Sequence, residues 1–266
     1  MKVKVDAIAA YTLFGFIMAF FTIIVIRFPM GNIWITSEGL PGDWLRFYFY
    51  VIALFFSARL ALAKSRYRFF FAVLGLACLY AAGEEISWGQ RLLDIATPGF
   101  PSHQNLRQAT NLRHFFTGPH GAVPQRAIEV LQAGAFIVYG VIFPLELRIG
   151  SRPAVWINRL GIPAPPLYLW PFFTASALLK LGIFTFTEPG LADIFLSPAL
   201  AILTCHFWLR RQGRDKRSAV RPRHLGAAIL LICVIGMGLA AATSLVSGKI
   251  VRLKAELHTW SREKPR

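Results

Sequence analysis

Two adjacent glutamates, Glu84 and Glu85, end a long apolar run in FFFAVLGLACLYAAGEEISWGQRLL. Neighbouring carboxylates repel each other, which favours protonation of one of them near neutrality. A pair with one protonated and one ionised member suits general acid–base chemistry. Basic neighbours can equally neutralise such a pair, and Arg91 and Lys180 are the candidates. An ionisable side chain in a membrane helix costs roughly 2.5–3.5 kcal/mol on insertion scales, so it tends to face a protein interior and to have a partner or a task. If the helix continues through the motif, Glu84, Ser87, Trp88 and Arg91 share one face, and Gln90 turns about 100° away from Arg91.

Further polar groups fall at a similar depth. Glu129 and Gln132 sit in the first turns of a later apolar run, and Lys180 lies roughly 20 Å along another at 1.5 Å per residue. The segment after the glutamates supplies Asn111, His114 and His120. The reading is of one polar pocket. Glu84 or Glu85 serves as acid/base or metal ligand, Arg91 binds an anionic group, and Asn111 and His114 close the site. Gln90, Trp88, Lys180 and Glu129 line it on the substrate side. Carboxylates with histidines suit zinc or iron, but the spacing of His114 and His120 is not diagnostic. A metal is left open and no cofactor is specified. His206, alone near the end of its run, reads as an interfacial residue.

The elements that must hold this pocket are apolar helices. The chain has 266 residues, 55% of them hydrophobic, and a mean hydropathy of +0.51, too apolar for a soluble domain of ordinary composition. Several runs approach the roughly 20 residues that cross a bilayer. Within lipid, backbone groups must pair inside the segment, so these runs are expected to be helices; the alternating pattern of a membrane barrel is absent. Seven spans are expected: Ala7–Phe28, Trp44–Ala63, Phe69–Leu93, Ala127–Leu147, Leu167–Thr187, Leu191–Leu209 and Leu225–Ser247. Pro171, Pro189 and Pro198 interrupt the fifth and sixth, which form either full spans, a kinked pair or a re-entrant turn around TFTEPGLAD. Residues 1–247 thus form one transmembrane domain. Residues 248–266 form a basic tail that reads as an amphipathic surface helix. Cys78, Cys205 and Cys233 all lie in apolar runs without metal-ligand spacing and read as small buried residues.

A net charge of +16 raises the question of nucleic acid, but the Lys and Arg residues lie mostly between apolar runs, where anionic lipid headgroups meet them. The expected partners are membrane lipids, with those headgroups at the basic loops, and no nucleic acid. Lys2 and Lys4, Lys64 to Arg68, Arg148 to Arg159 and the block RRQGRDKRSAVRPRH all fall on one side under seven-span alternation. By the positive-inside rule the N-terminus is cytoplasmic; the basic tail alone departs from that pattern. The first run is longer than a signal-peptide core and reads as an uncleaved anchor. No phosphate loop, dinucleotide fingerprint, serine nucleophile elbow or HExxH is present.

GEEISWGQR resembles a motif of an uncharacterised family of bacterial integral membrane proteins. In that family the motif ends a transmembrane helix, and a Pro-containing loop and a segment like NLHN follow. Gly83 to Arg91, Pro98, Asn105, Gln108, Asn111 and Leu112 fit. NLRH replaces NLHN, with Arg113 at the histidine position and His114 one residue later. The resemblance covers about Phe69 to Phe116 and implies a multi-pass protein of the bacterial inner (plasma) membrane. A looser likeness is to the CAAX-type intramembrane glutamate proteases, which carry EExxxR. This chain has EExxxxxR and no HxxxN in a later span, so the likeness is one of chemistry, not of membership.

Taken together, the expected fold is an all-α polytopic transmembrane bundle of about seven spans. The leading functional expectation is an enzyme acting on a lipid or lipid-linked substrate, a hydrolase or transferase. The alternatives are a proton-coupled transporter, with the three prolines marking broken helices, and a non-catalytic membrane assembly subunit.

Overall fold

In the computed structural model, residues 2–27, 41–89, 124–183 and 189–212 are described, and every regular element among them is helical. The first, α1 (Lys2–Arg27), is apolar on all sides, as expected of a helix with no wet face. Ala10, Leu13, Ile17 and Phe21 recur at helical spacing on its buried side, while Ile8, Phe16, Phe20 and Ile23 point outward. Helices α2 (Pro41–Ala61) and α3 (Arg68–Glu85) pack against each other across the short connection 62–67, which makes them antiparallel neighbours. The outward surface is apolar here too, with Phe55, Leu62, Val73 and Leu76 exposed. A water-soluble monomer rarely shows so much apolar surface.

Helix α3 stops at Glu85, earlier than the expected Phe69–Leu93. Ser87 and Trp88 adopt φ of 50° and 54°, in the left-handed region that a right-handed helix cannot pass through. The chain turns and lays the Trp88 indole back over Gly83, where an added Cβ would stand 2.9 Å from Trp88 Cδ2 and Cε2. The bare backbone at Gly83 therefore makes room for the ring.

Helix α4 (Gln125–Ile137) passes through a π-helical turn, Val138–Ile142, into α5 (Phe143–Arg148). Pro144 has no N–H to return to the carbonyl four residues earlier, and the widened turn lies just before it. Gly140 is buried there with the Phe173 ring against it, well inside the contact distance of an added Cβ. Gly140→Ala is expected to destabilise the fold by about 1–3 kcal/mol through overpacking, read as a lower Tm in detergent. Gly134→Ala, with nothing within 4 Å of its added Cβ, should not lower it.

After the short α6 (Arg152–Arg159), a proline-rich stretch and the single turn Leu167–Leu169 lead into α7 (Trp170–Lys180). Helix α8 (Pro189–Gln212) is the central element. It packs on α2 and α7, and 72% of its bilayer-length window is buried. Its core includes Ile194, Phe195, Ala199, Ile202 and Leu203. His206, near the end of its run, is buried and not isolated, with Nδ1 2.8 Å from the Tyr168 hydroxyl. The turn before α7 supplies that partner from 38 residues away, so the local sequence does not reveal it. Cys78 and Cys205 are buried, as expected.

Among the described residues, four helical stretches are long and apolar enough to cross a membrane: Ala7–Ile24, Gly42–Ala61, Gln125–Arg148 and Gly190–Arg211. The chain is thus all-α in its described residues and compatible with a membrane protein. Helix α3, 18 residues long, reaches about 27 Å but carries charges at its ends. Helix α7, with 11 residues, reaches only about 16 Å, shorter than the expected Leu167–Thr187. The seventh expected span and the basic tail lie outside the described residues.

Candidate functional site

The site begins in the first turns of α2. Asp43 stands near the helix N-terminus, where the backbone dipole favours a carboxylate. Arg46, one turn on, pairs through Nη2 with Asp43 Oδ1. The same Nη2 is 2.9 Å from Glu85 Oε2 at the end of α3, and Nη1 donates to the Gly190 carbonyl, 2.9 Å away, in the first turn of α8. One guanidinium therefore ties three helices together. The Arg46, Asp43 and Glu85 side chains are 9%, 7% and 14% exposed, a depth at which an ion must be paired. Tyr50, one turn further along α2, is buried within electrostatic reach of Asp193, Glu85 and Arg46.

A second ion pair lies beside the first. Lys180 ends α7, and its Nζ is 2.9 Å from Asp193 Oδ2 on α8, with the lysine side chain 2% exposed. Ser176 Oγ donates to the Ala192 carbonyl at 3.0 Å, holding the same two helices in register. Arg126, at the start of α4, donates to the carbonyls of Lys180 and Leu181, which a helix C-terminus leaves without intrahelical partners. The buried Glu129 accepts from Gln125 Nε2 at 2.8 Å and lies 3.5 Å from Arg126 Nη1. Among the described residues, the polar layer sets the carboxylates Asp43, Glu85 and Asp193 against the cations Arg46 and Lys180.

The residues singled out in the sequence are distributed around this layer. Glu84 is half-buried and accepts from Trp88 Nε1 at 2.9 Å. That contact arises because the chain folds back after Glu85, not because the two share a continuing helical face. Lys180 is not the direct counter-ion of the glutamates. Asp193 holds it, and Glu85 is held by Arg46, because α2 packs directly on α3 while α7 packs on α8. Glu129 is drawn towards the end of α7 through Arg126 and is occupied by residues of its own helix. Gln90, Arg91, Asn111 and His114 lie outside the described residues. Among the described residues, no three of His, Cys, Asp and Glu come together to hold a metal ion.

Sequence reasoning missed Asp43, Arg46 and Tyr50. The signal was in GDWLR, where Asp43 and Arg46 stand three residues apart at the start of an apolar run, a spacing that brings them together on a helix.

Two polar atoms here have no hydrogen-bond partner although buried: Arg46 Nε and Ser87 Oγ. Orphaned buried groups are uncommon, and so is left-handed backbone at a residue such as Trp88; both are features that gather at ligand sites. Arg46 Nε–H can donate to an oxygen, and the Ser87 hydroxyl can donate or accept. Both groups therefore keep unused hydrogen-bonding capacity close to Glu85. The chain matches no family model, and no curated protein or solved structure is significantly similar to it.

Proposed function

We propose that this chain is an enzyme of the bacterial inner membrane that acts on a lipid or lipid-linked substrate at the Glu84–Glu85 site. It belongs, in this reading, to the family that GEEISWGQR resembles, with about seven spans and a cytoplasmic N-terminus. The observation that carries the proposal is the pair of orphaned buried groups, Arg46 Nε and Ser87 Oγ, beside the two glutamates. Glu84, half-buried and accepting from the partly exposed Trp88 indole, is the acid/base. Glu85 is the charged anchor that keeps Arg46 in place. Arg46 Nε and Ser87 Oγ receive the substrate oxygen, with Arg91, Gln90, Asn111 and His114 completing the pocket.

Glu84→Gln tests this directly. Reconstituted wild-type protein given a total membrane-lipid extract should consume one lipid class, followed by mass spectrometry. The variant should do so about 100-fold more slowly, the usual size of a lost acid/base group. Its Tm should stay within about 2 °C of wild type, since the side chain is not a fully buried charge. Equal turnover by the two proteins would overturn the reading, as would a large fall in Tm.

A second reading, a proton-coupled carrier, has an observation of its own. Helix α7 is too short to cross a bilayer, breaks at Gly182 with φ of 65°, and delivers Lys180 to Asp193 in the first turns of α8. Interrupted helices around buried charges are a feature of transport pathways. Proton flux into protein-containing vesicles, with no lipid product formed, would favour that reading over the enzyme.

A further inference from the structure

A second polar site lies at the other end of α2, roughly 21 Å further along that helix than Arg46 at 1.5 Å per residue. Here the connection 62–67 and the last turn of α8 border an open cavity of about 720 Å³, within the usual size range of small-ligand pockets. Lys64, Arg66, Arg210 and Arg211 line it, and no carboxylate does among the described residues. Phe71 and Phe207, with ring centroids 5.5 Å apart, form an apolar wall.

Four cations in one concavity repel each other, and their combined field concentrates anions there. Arg66 is partly engaged, donating to the Tyr67 hydroxyl and to Asn158 Oδ1. Arg211 carries the independent sign of a ligand. Its Nη1 is buried without a hydrogen-bond partner, at a depth where such groups are normally satisfied.

We propose that this pocket binds a phosphate-bearing anion. The forked donors of Arg210 and Arg211 match phosphate oxygens, Lys64 adds a compact charge, and the Phe71–Phe207 wall accommodates apolar parts of the ligand. The phosphate comes either from a lipid headgroup or from a soluble phosphate compound. The site shares no residue with the Glu84–Glu85 site and does not depend on the function proposed there.

The test uses the full chain purified in a phosphate-free, uncharged detergent. Three probes are titrated: dioleoyl phosphatidic acid, inorganic pyrophosphate and dioleoyl phosphatidylcholine. Either net-anionic phosphate probe should bind saturably and at least about 10-fold more tightly than zwitterionic phosphatidylcholine, and more weakly as ionic strength rises. Tighter binding of phosphatidic acid assigns the site to a lipid; tighter binding of pyrophosphate assigns it to a soluble compound. Arg211→Gln should weaken the preferred probe about 10-fold, the scale of a charge-assisted hydrogen bond. If that variant does not fold, the combined Lys64→Gln and Arg210→Gln change, at two exposed side chains, should give a similar loss. Affinity for the two net-anionic probes no greater than for phosphatidylcholine would overturn the proposal, and so would variants that bind as wild type does.

Discussion

Arg46→Met is expected to destabilise the protein by about 3–5 kcal/mol, the size of effect seen when one partner of a buried ion cluster is removed. The change leaves Asp43 and Glu85 facing each other without their shared cation and removes the donor to the Gly190 carbonyl. The junction of α2, α3 and α8 should loosen together, because all three bonds come from one side chain. Unfolding in mixed micelles, followed by tryptophan fluorescence against SDS fraction, measures the loss. Arg46→Lys should fall between, since a single ammonium lacks the planar fork that reaches three acceptors in different directions. Adding Asp43→Asn and Glu85→Gln to Arg46→Met should recover much of the stability, because the buried anions are then gone. A methionine variant that unfolds at the wild-type midpoint would show that water, and not Arg46, compensates these carboxylates.

Lys180→Met should have an effect close behind, about 3 kcal/mol. The methylene chain keeps its packing, so the loss isolates the ammonium and its 2.9 Å pairing with Asp193. An unpaired Asp193 is then left against Glu85, which it already influences electrostatically together with Asp43. Asp193→Asn alone should also destabilise, by leaving the buried lysine unpaired. The double variant Lys180→Met with Asp193→Asn should be more stable than the sum of the two single effects predicts. Strict additivity in that cycle would mean that the two groups do not act on each other.

Both predictions bear on how function is assigned. Glu85 is a structural ion as well as a proposed site residue, so Glu85→Gln confounds chemistry with packing. Glu84, one residue away, accepts from the partly exposed Trp88 indole and is the proposed acid/base, so it is the more direct probe of chemistry. The two glutamates that look equivalent in sequence therefore have different physical surroundings and suit different experiments.

The apolar runs alone determined that the described residues are helical and where α1, α2, α4 and α5 lie; for the proline-interrupted run that holds α8 they left a full span, a kinked pair and a re-entrant turn open. That information is local: a run of this length in lipid has to satisfy its backbone within itself. The presence of charge within those runs, at Glu84, Glu85, Glu129 and Lys180, was legible for the same reason, since each stands out against apolar neighbours. The end of α3 was not legible, because Ser87 and Trp88 are not residues that favour left-handed backbone, and the fold-back of the indole over Gly83 is what accompanies it. The pairing of charges also required the tertiary structure. Arg46 meets Glu85, and Lys180 meets Asp193, only because of which helices pack on which. Periodicity along one helix reports which side is buried; it carries no information about the helix that will cover it.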